Sequence, residues 1–313
     1  MDSGIAYFGS RILRHVEADL DEIAAAGYRH VLHTFSEGDQ RYYLDQMVRI
    51  VEATHARGLT ATAAPFGVAG IFGGEEASFF LAEHPRSRQR DEGGRIYPAA
   101  CLRAPATRAL IDNWLADAAA VGFDEILWDE PGWAFDTREH RRCSCDSCRD
   151  APELDAEQAL VAFLAESIAT AAALDLRNTV CLLPDELALT PGQPWREVAA
   201  IPGLDALSTD PYWKNAYLPV LPFVPDSLHR LRAAIGDTSV ALECWIQGFG
   251  LDLEDESDFV AATLAARGEG ASRVWFWGFG AAAHMSELGE SSPEAVWEYM
   301  KEVARRLAMN ELS

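Results

Sequence analysis

Short, nearly continuous apolar runs alternate with longer amphipathic segments along the whole chain. Apolar runs of this kind are typical of strands that are buried on both faces. The amphipathic segments carry apolar residues three and four positions apart, which is the helical period. We predict strands at Ile5–Phe8, His30–Phe35, Thr60–Pro65, Glu125–Trp128, Thr179–Leu183, Ala206–Thr209, Val240–Trp245 and Val274–Trp277. We predict helices over residues 11–26, 40–57, 106–121, 155–174, 226–235, 255–267 and 293–308, with a shorter one at 194–200.

The strict alternation of strands and helices predicts a parallel sheet. Eight such units within 313 residues favour an α/β fold of the closed (β/α)8 type, a TIM barrel, over an open sheet. We predict one domain over residues 1–313. The glycine-rich connection after the third strand, residues 67–104, is long enough to carry function or a small insertion.

The chain is strongly acidic, with 49 Asp and Glu against 26 Lys and Arg and a formal net charge of -23. A surface of this sign repels nucleic-acid phosphates and anionic lipid, so we expect neither nucleic acid nor a membrane as a partner. We find no basic and apolar leader and no apolar run that approaches the length of a bilayer span. We therefore expect a cytoplasmic protein. The sequence leaves the oligomeric state open, a homo-oligomer included.

Acidic and aromatic residues collect at the predicted strand ends. In a (β/α)8 barrel the active site lies at the carboxyl ends of the strands and in the loops that follow them. Sugar rings stack on aromatic faces and their hydroxyls bind carboxylates, so this combination predicts a carbohydrate site. The candidate residues are Tyr7, His33, Asp129, Glu130, Trp133, Asp210, Tyr212, Glu243, Trp245 and Trp277. Asp185 and Glu186, after the fifth strand, fit a solvated loop as well as a site.

Two of these carboxylates are candidates for catalysis. Cleavage of a glycosidic bond needs two carboxyl groups, one that protonates the leaving oxygen and one that attacks or activates water. Glu130 follows the fourth predicted strand. Glu243 interrupts the apolar run of the seventh, where a carboxylate is costly to bury without a task or partners. Asp129 would bind the sugar or act on Glu130 through like-charge repulsion.

Each assignment has a structural alternative. The adjacent carboxylates after the fourth strand could cap the next helix or pair with an arginine. Glu243 could be a buried structural acid, and His33 could be a core histidine with satisfied hydrogen bonds. Most of the tryptophans could belong to the core, whereas Trp277, at the end of the last strand, and Trp133, which looks exposed, are favoured as ligand-binding rings.

Three of the six cysteines form a C-x-C-x2-C cluster. They are Cys143, Cys145 and Cys148. Thiolates at this spacing can wrap one tetrahedral zinc ion, which needs a fourth ligand. Cys101, at the end of the long connection, is the favoured fourth ligand, and His140 is an alternative. A closed site of this kind would be structural, in a zinc-binding loop over residues 140–150, whereas Cys181 and Cys244 lie in apolar strands and fit the core.

The cysteine layout resembles that of family 42 β-galactosidases, which are retaining enzymes of glycoside hydrolase clan A. In those enzymes one cysteine lies well upstream of a C-x-C-x2-C cluster that follows strand 4. The resemblance implies a structural zinc bound by Cys101 and the cluster, an acid/base at Glu130 and a nucleophile at Glu243. It also implies that Tyr212 orients the nucleophile and that Trp277 forms the floor of the sugar site.

The chain departs from the clan pattern at two points. Asp129 stands where the clan places an Asn, and 313 residues leave no room for the further domains of family 42. The segment is closer to uncharacterised glycosyl hydrolase-like proteins of barrel-only size. We therefore predict a glycosidase that cleaves an O-glycosidic bond with retention. Two alternatives stay open: a non-catalytic or degenerate barrel that binds carbohydrate, and a metal-dependent sugar isomerase or amidohydrolase.

Overall fold

The structure is a computed structural model that describes residues 1–74, 76–149, 155–184, 187, 194–285, 288 and 292–312. Three predicted features fall partly or wholly outside these ranges. Glu75 of the long connection 67–104, the acids Asp185 and Glu186, and residue 150 of the predicted zinc loop are not among the described residues.

The described residues form ten strands. They are β1 (Asp2–Tyr7), β2 (His30–Thr34), β3 (Thr60–Ala64), β4 (Arg88–Arg90), β5 (Ile96–Ala100), β6 (Glu125–Asp129), β7 (Arg177–Cys181), β8 (Ala206–Thr209), β9 (Ala241–Gln247) and β10 (Arg273–Trp277). All except β4 and β5 join a parallel barrel that closes in the order β1-β10-β9-β8-β7-β6-β3-β2. The predicted α/β fold, a TIM barrel, is confirmed, and every predicted strand overlaps an observed one.

Eleven α-helices lie within the described ranges. They are α1 (Leu13–Ala25), α2 (Glu37–Tyr42), α3 (Leu44–His55), α4 (Phe79–Glu83), α5 (Pro105–Val121), α6 (Asp146–Arg149), α7 (Ala156–Ala173), α8 (Trp195–Ala199), α9 (Val220–Ile235), α10 (Glu256–Gly268) and α11 (Pro293–Ala308). Each of them is too short or too polar to cross a lipid bilayer.

Local sequence explains where the helices begin and end. Pro105 opens α5, where a missing backbone N–H costs no helical hydrogen bond. Gly122 closes the same helix with a φ of 96°, a conformation that favours glycine. A capping box between Asp155 and Gln158 begins α7, because each side chain accepts the backbone N–H of the other residue.

Two predicted helices differ in extent from the observed ones. The segment predicted as one helix over 40–57 consists of α2 and α3. A capping box at Ser36 begins α2 early, and Tyr43 leaves the helical conformation with a φ of -132°. Helix α9 begins earlier than predicted, at Val220, but Leu221 leaves the helical conformation with a φ of -108° and a ψ of 127°. The regular helix therefore follows Leu221, and Pro225 lies within its first turns.

The long connection after β3 has secondary structure of its own. It contains α4 and an antiparallel hairpin of β4 and β5, in which Arg88 pairs with Ala100. The sequence does not predict this hairpin, because β4 has only three residues, Arg-Gln-Arg, and shows no apolar alternation. The hairpin adjoins the predicted metal site, because Ala100 precedes Cys101 directly.

The chain contains two compact units, and the first comprises Met1–His33, Asp45–Thr62 and Ala206–Ser313. Within this unit Trp245 and Trp275 stack face to face, with ring centroids 5.1 Å apart and 9° between their planes. Gly4 lies against the second ring, where a Cβ would come within 2.3 Å of the indole. The prediction of a single domain over the whole chain stays a prediction.

The second unit comprises Thr34–Leu44 and Ala63–Asp205. Its core contains the fully buried rings of Trp114 and Trp128, whose centroids are 6.1 Å apart. The Trp128 indole N–H donates to Oδ1 of Asn178 at 3.0 Å. Since Trp128 is anchored in this way, β6 delivers the next two residues of the chain, both acidic, at a defined position.

Candidate active site

The two adjacent carboxylates lie at the carboxyl end of β6. Asp129 pairs with Cys181 in the parallel register of β6 and β7, and the Glu130 N–H donates to the Cys181 carbonyl at 3.0 Å. Glu130 has a φ of 42°, in the left-handed region that costs a non-glycine residue roughly 1 kcal/mol or more. Backbone strain of this kind concentrates at functional sites. The turn at Glu130 therefore marks the pair as a candidate site.

The loop after β3 packs against Asp129. Gly73 donates its N–H to the Asp129 carbonyl at 2.9 Å. A Cβ at Gly73 would lie 2.4 Å from Oδ2 of Asp129, so any side chain there would displace the carboxyl group. Burial, and then the negative charge of Glu130, raise the pKa of Asp129 to about 8. The raised pKa favours a proton held within the Asp129–Glu130 pair near neutral pH.

Within the described ranges, the carboxyl groups of Asp129 and Glu130 make no structural hydrogen bond or ion pair. In the described part of the chain, no group donates a hydrogen bond to the side-chain carboxyl of Asp129 or Glu130, and no arginine or lysine forms an ion pair with either. Both residues are partly buried. The alternatives of a helix cap or an arginine pair therefore find no partner within the described ranges. Carboxyl groups in this state are available to a ligand.

Glu243, the predicted nucleophile, has structural partners. Its Oε1 accepts from Nη2 and Nε of Arg273 at 2.7 and 3.0 Å, and its Oε2 accepts from the indole N–H of Trp275 at 2.9 Å. Glu243 and Arg273 are both nearly inaccessible to solvent. Glu243 also lies four residues before the end of β9, opposite the first residue of β10. These contacts explain its burial and give the nucleophile role no support.

Tyr7 and His33 pack together with ring centroids 5.7 Å apart, and both are buried. The Tyr7 hydroxyl donates to Oδ2 of Asp19 at 2.6 Å. The Thr54 hydroxyl donates to a backbone carbonyl and lies 3.0 Å from Nε2 of His33, so it accepts from the imidazole. Burial, and then the charge of His55, lower the pKa of His33 to about 3. His33 is therefore a neutral core imidazole near pH 7, which favours the structural alternative.

A row of aromatic rings follows the ends of β8, β9, β10 and β1 in the first unit. Tyr212 meets Phe249 edge to face at 5.1 Å, Phe249 meets Trp277 edge to face at 5.1 Å, and Trp277 packs on Phe8 at 4.6 Å. Tyr212, Trp277 and Phe8 keep part of their surface exposed. The sequence predicts Tyr212 and Trp277 for this role but misses Phe8 and Phe249, which look like ordinary apolar positions.

Asp210 lies directly after β8 and is buried. Its carbonyl accepts the backbone N–H of Tyr212 at 2.7 Å, which shapes the turn that carries the tyrosine ring. Burial, and then the charge of Asp210, raise the pKa of the Cys244 thiol. The carboxylate of Asp210 therefore lies close to β9.

Two predicted sugar-binding rings are buried, which corrects the expectation that Trp133 is exposed. Trp133, expected to be exposed, is only 8% exposed, its indole N–H donates to the Ala156 carbonyl at 2.7 Å, and its ring packs on Phe135. Trp245 is 2% exposed and stacks on Trp275. Both rings belong to the core, because neighbouring protein groups occupy the surface that a sugar would need.

The four predicted ligand cysteines form one cluster. Their Sγ atoms lie within 4.8 Å of one another, all four residues are buried, and Sγ of Cys101 is 3.4 Å from Sγ of Cys148. A tetrahedron with ordinary Zn–S bonds places its sulfurs about 3.8 Å apart, so the cluster has the size and donor chemistry for zinc. Four buried cysteines could thus bind a metal ion. His140, the alternative ligand, instead has its Nε2 3.6 Å from a carboxylate oxygen of Asp91.

No protein-family model and no curated protein matches the chain. Its fold is similar to that of the catalytic domain of β-amylase from Paenibacillus polymyxa, with a TM-score of 0.65 and 10% identity over 97% of this chain and 98% of the other. It is similar to an endo-1,4-β-mannanase from Rhizomucor miehei, with a TM-score of 0.67 and 8% identity over 97% and 95%. A D-psicose 3-epimerase also matches, with a TM-score of 0.57 and 13% identity over 99% and 97%. Identities this low establish the barrel fold alone.

Proposed function

We propose that the protein hydrolyses an O-glycosidic bond and that Glu130 protonates the leaving-group oxygen. The observation that carries this proposal is the Asp129–Glu130 pair, which lies at the carboxyl end of a barrel strand without a structural partner among the described residues. A strained backbone at Glu130 and a proton held within the carboxyl pair near neutral pH suit acid catalysis. Two of the similar folds, the β-amylase and the mannanase, belong to glycoside hydrolases.

In this proposal Asp129 takes a role next to the proton donor. Burial and the repulsion between the two carboxyl groups raise the pKa of Asp129, so the adjacent pair favours holding a proton. A neutral Asp129 can donate a hydrogen bond to a sugar hydroxyl as well as accept one. The pair then shares one proton, which avoids the cost of two adjacent charged carboxylates in a partly buried site. Glu130 receives this proton from Asp129 when it protonates the leaving oxygen.

The residue that attacks the anomeric carbon, or activates water to do so, is distinct from the proton donor Glu130. Hydrolysis requires a second carboxyl group or an equivalent nucleophile, and the resemblance to clan A implies Glu243 and retention. The ion pair with Arg273 favours a structural role for Glu243 instead. The anomer released first, followed by proton NMR, distinguishes retention from inversion. We therefore propose hydrolysis without assigning the attack to Glu243.

We propose that the aromatic row of Phe8, Tyr212, Phe249 and Trp277, within the first unit, binds a carbohydrate. The partly exposed rings of Tyr212 and Trp277 can stack on the C–H face of a pyranose. The strongly acidic chain favours a neutral or cationic carbohydrate over an anionic one. A panel of aryl α- and β-glycosides, assayed with the wild-type protein, tests the proposed function and identifies the sugar.

An epimerase is a second candidate because a D-psicose 3-epimerase has a similar fold. A metal-dependent epimerase would need an open metal site with His and carboxylate ligands. Among the described residues, the cysteine cluster is the one group of three or more candidate ligands within reach of a single ion. Metal analysis after alkylation of the cysteines tests this candidate. A remaining stoichiometric metal that activity depends on would favour it over hydrolysis.

We propose that the four-cysteine cluster binds a structural zinc ion. We expect about one zinc per chain in the purified protein, and we expect Cys145→Ala to lose it and to unfold at lower temperature, because a structural zinc contributes to folding. Metal content by mass spectrometry and the thermal midpoint measure both effects. Cys244→Ala is the matched control, since Cys244 is buried outside the cluster and should keep the metal. Equal zinc content in the two variants would contradict the assignment.

We expect Asp129→Asn to flatten the dependence of stability on pH. The native state holds the Asp129 proton up to about pH 8, whereas an unfolded aspartate loses it near pH 4. The proton therefore stabilises the native state most at low pH, and the free energy of unfolding falls as pH rises through this window. Urea titrations measure the free energy of unfolding of both proteins at about pH 5 and about pH 9. Relative to wild type, the free energy of unfolding of Asp129→Asn should be higher at pH 9 than at pH 5 by on the order of a few kcal/mol. A gain that is equal at both pH values would contradict the shifted pKa.

A further inference from the structure

Gln89, in the middle of β4, is fully buried and its side-chain amide is completely used. Nε2 donates to the carbonyls of Ala100 and Gly132 at 3.1 and 3.3 Å, and Oε1 accepts the N–H of Ala134 at 2.7 Å. The amide thus joins the β4–β5 hairpin to the segment that follows Glu130. An uncharged side chain of this length that both donates and accepts is found only in glutamine.

The residues on either side of Gln89 are bonded to the cysteine loops. The Arg90 N–H donates to Sγ of Cys143 at 3.4 Å, and the Arg90 carbonyl accepts the N–H of Ser144 at 2.7 Å. On the other side, the Ser87 carbonyl accepts the N–H of Cys101 at 2.6 Å. Strand β4 and the residue before it are therefore bonded both to Cys101 and to the loop that carries Cys143.

The turn that carries the carboxylates is fixed at its other side by the loop after β3. The Gly132 N–H donates to the Ile71 carbonyl at 3.2 Å, and the Gly73 N–H donates to the Asp129 carbonyl. On the hairpin side, the position of the segment after Glu130 depends on Gln89. Its amide bonds the Gly132 carbonyl and the Ala134 N–H. Loss of the amide would leave these half-buried backbone groups without those bonds, so the segment after Glu130 would be free to shift.

We infer that Gln89 is a positioning residue that couples the geometry of the cysteine cluster to the Asp129–Glu130 turn. The inference rests on the proposed function for its effect on turnover. It does not rest on that function for its structural effect, because the position of the turn determines the surroundings of Asp129 whether or not a sugar is cleaved. A displacement of a catalytic group by about 1 Å is enough to slow a reaction on the order of 100-fold.

The test compares Gln89→Met, which keeps the size of the side chain and removes its hydrogen bonds, with wild type. We expect the turnover number to fall about 10- to 100-fold while KM changes less than about threefold. We also expect the carboxyl carbon of Asp129, followed by NMR, to titrate closer to an ordinary aspartate. Zinc content should stay at the wild-type level. Thr263→Val is the control, because it removes a buried side-chain hydrogen bond in α10 and should leave turnover and titration unchanged.

Unchanged turnover and an unchanged Asp129 titration in Gln89→Met would overturn the inference, as would equal effects in Thr263→Val. If the wild-type protein cleaves no glycoside, the proposed function fails and the titration alone decides the role of Gln89. If Gln89→Met does not fold, Gln89→Glu takes its place, since it keeps the acceptor for Ala134 and loses the amide donors. Its near-ultraviolet circular dichroism first establishes that the variant is folded.

Discussion

Glu130→Gln should lower the turnover of glycosides with poor leaving groups by about 100- to 10,000-fold. The substitution removes the proton that the departing oxygen needs, and it changes the shape of the side chain little. The loss should be much smaller for dinitrophenyl glycosides, whose leaving group departs without protonation. The free energy of unfolding should stay within about 0.5 kcal/mol of wild type, because no described residue bonds to the Glu130 carboxylate.

Glu139→Gln is the matched control for this measurement. Glu139 is an exposed acid of the same loop, and the same chemical change there should leave turnover unaffected. Equal losses for good and poor leaving groups in Glu130→Gln would contradict a proton-donor role. Such a result would place Glu130 in sugar binding instead.

Glu243→Gln should destabilise the protein by about 3 kcal/mol or more, because it leaves the Arg273 guanidinium buried without its counter-charge. Urea unfolding followed by circular dichroism measures the effect. Adding Arg273→Met to Glu243→Gln should recover most of the loss, since replacing both members of a buried ion pair is often nearly neutral. At temperatures where Glu243→Gln is folded, its turnover should stay close to that of wild type.

The opposite pattern would restore the assignment that the resemblance implies. A stability close to that of wild type, together with a loss of turnover of about 1,000-fold or more, would show that Glu243 attacks the sugar. The double variant then separates the two roles. If Glu243 is the nucleophile, the double variant stays as inactive as Glu243→Gln. If Glu243 is structural, the double variant regains the stability that Glu243→Gln loses.

The sequence predicts the barrel well because strands buried on both faces are continuously apolar, and this signal is local. Prediction from the sequence fails where the role of a residue is set by a partner that is distant along the chain. Glu243 interrupts an apolar strand, but its partner Arg273 lies thirty residues further along the chain, on the neighbouring strand. Trp133 looks exposed among loop residues, yet its indole donates to the carbonyl of Ala156 on another segment. Such contacts exist only after folding.

Some features of the candidate site can be predicted from the sequence, and others depend on contacts between distant residues. The cysteine cluster is predictable because its chemistry requires a short spacing, and the four sulfurs do lie together. The strained backbone at Glu130 and the close approach of Gly73 to Asp129 arise only in the folded chain, so the sequence does not reveal them. Gln89 has no signal in the sequence, because a lone glutamine between two arginines is typical of an exposed strand. Its burial follows from a hairpin that apolar periodicity does not reveal.

We propose that the protein cleaves glycosidic bonds through Glu130. The most direct measurement is the release of reducing ends from a panel of unmodified oligosaccharides by wild type and by Glu130→Gln, with sugar binding to each protein followed by calorimetry. We predict that wild type releases reducing ends, that Glu130→Gln releases at least about 100-fold fewer, and that both bind the same sugar. Sugar binding by both proteins without release by wild type would contradict the claim and favour a non-catalytic carbohydrate-binding barrel.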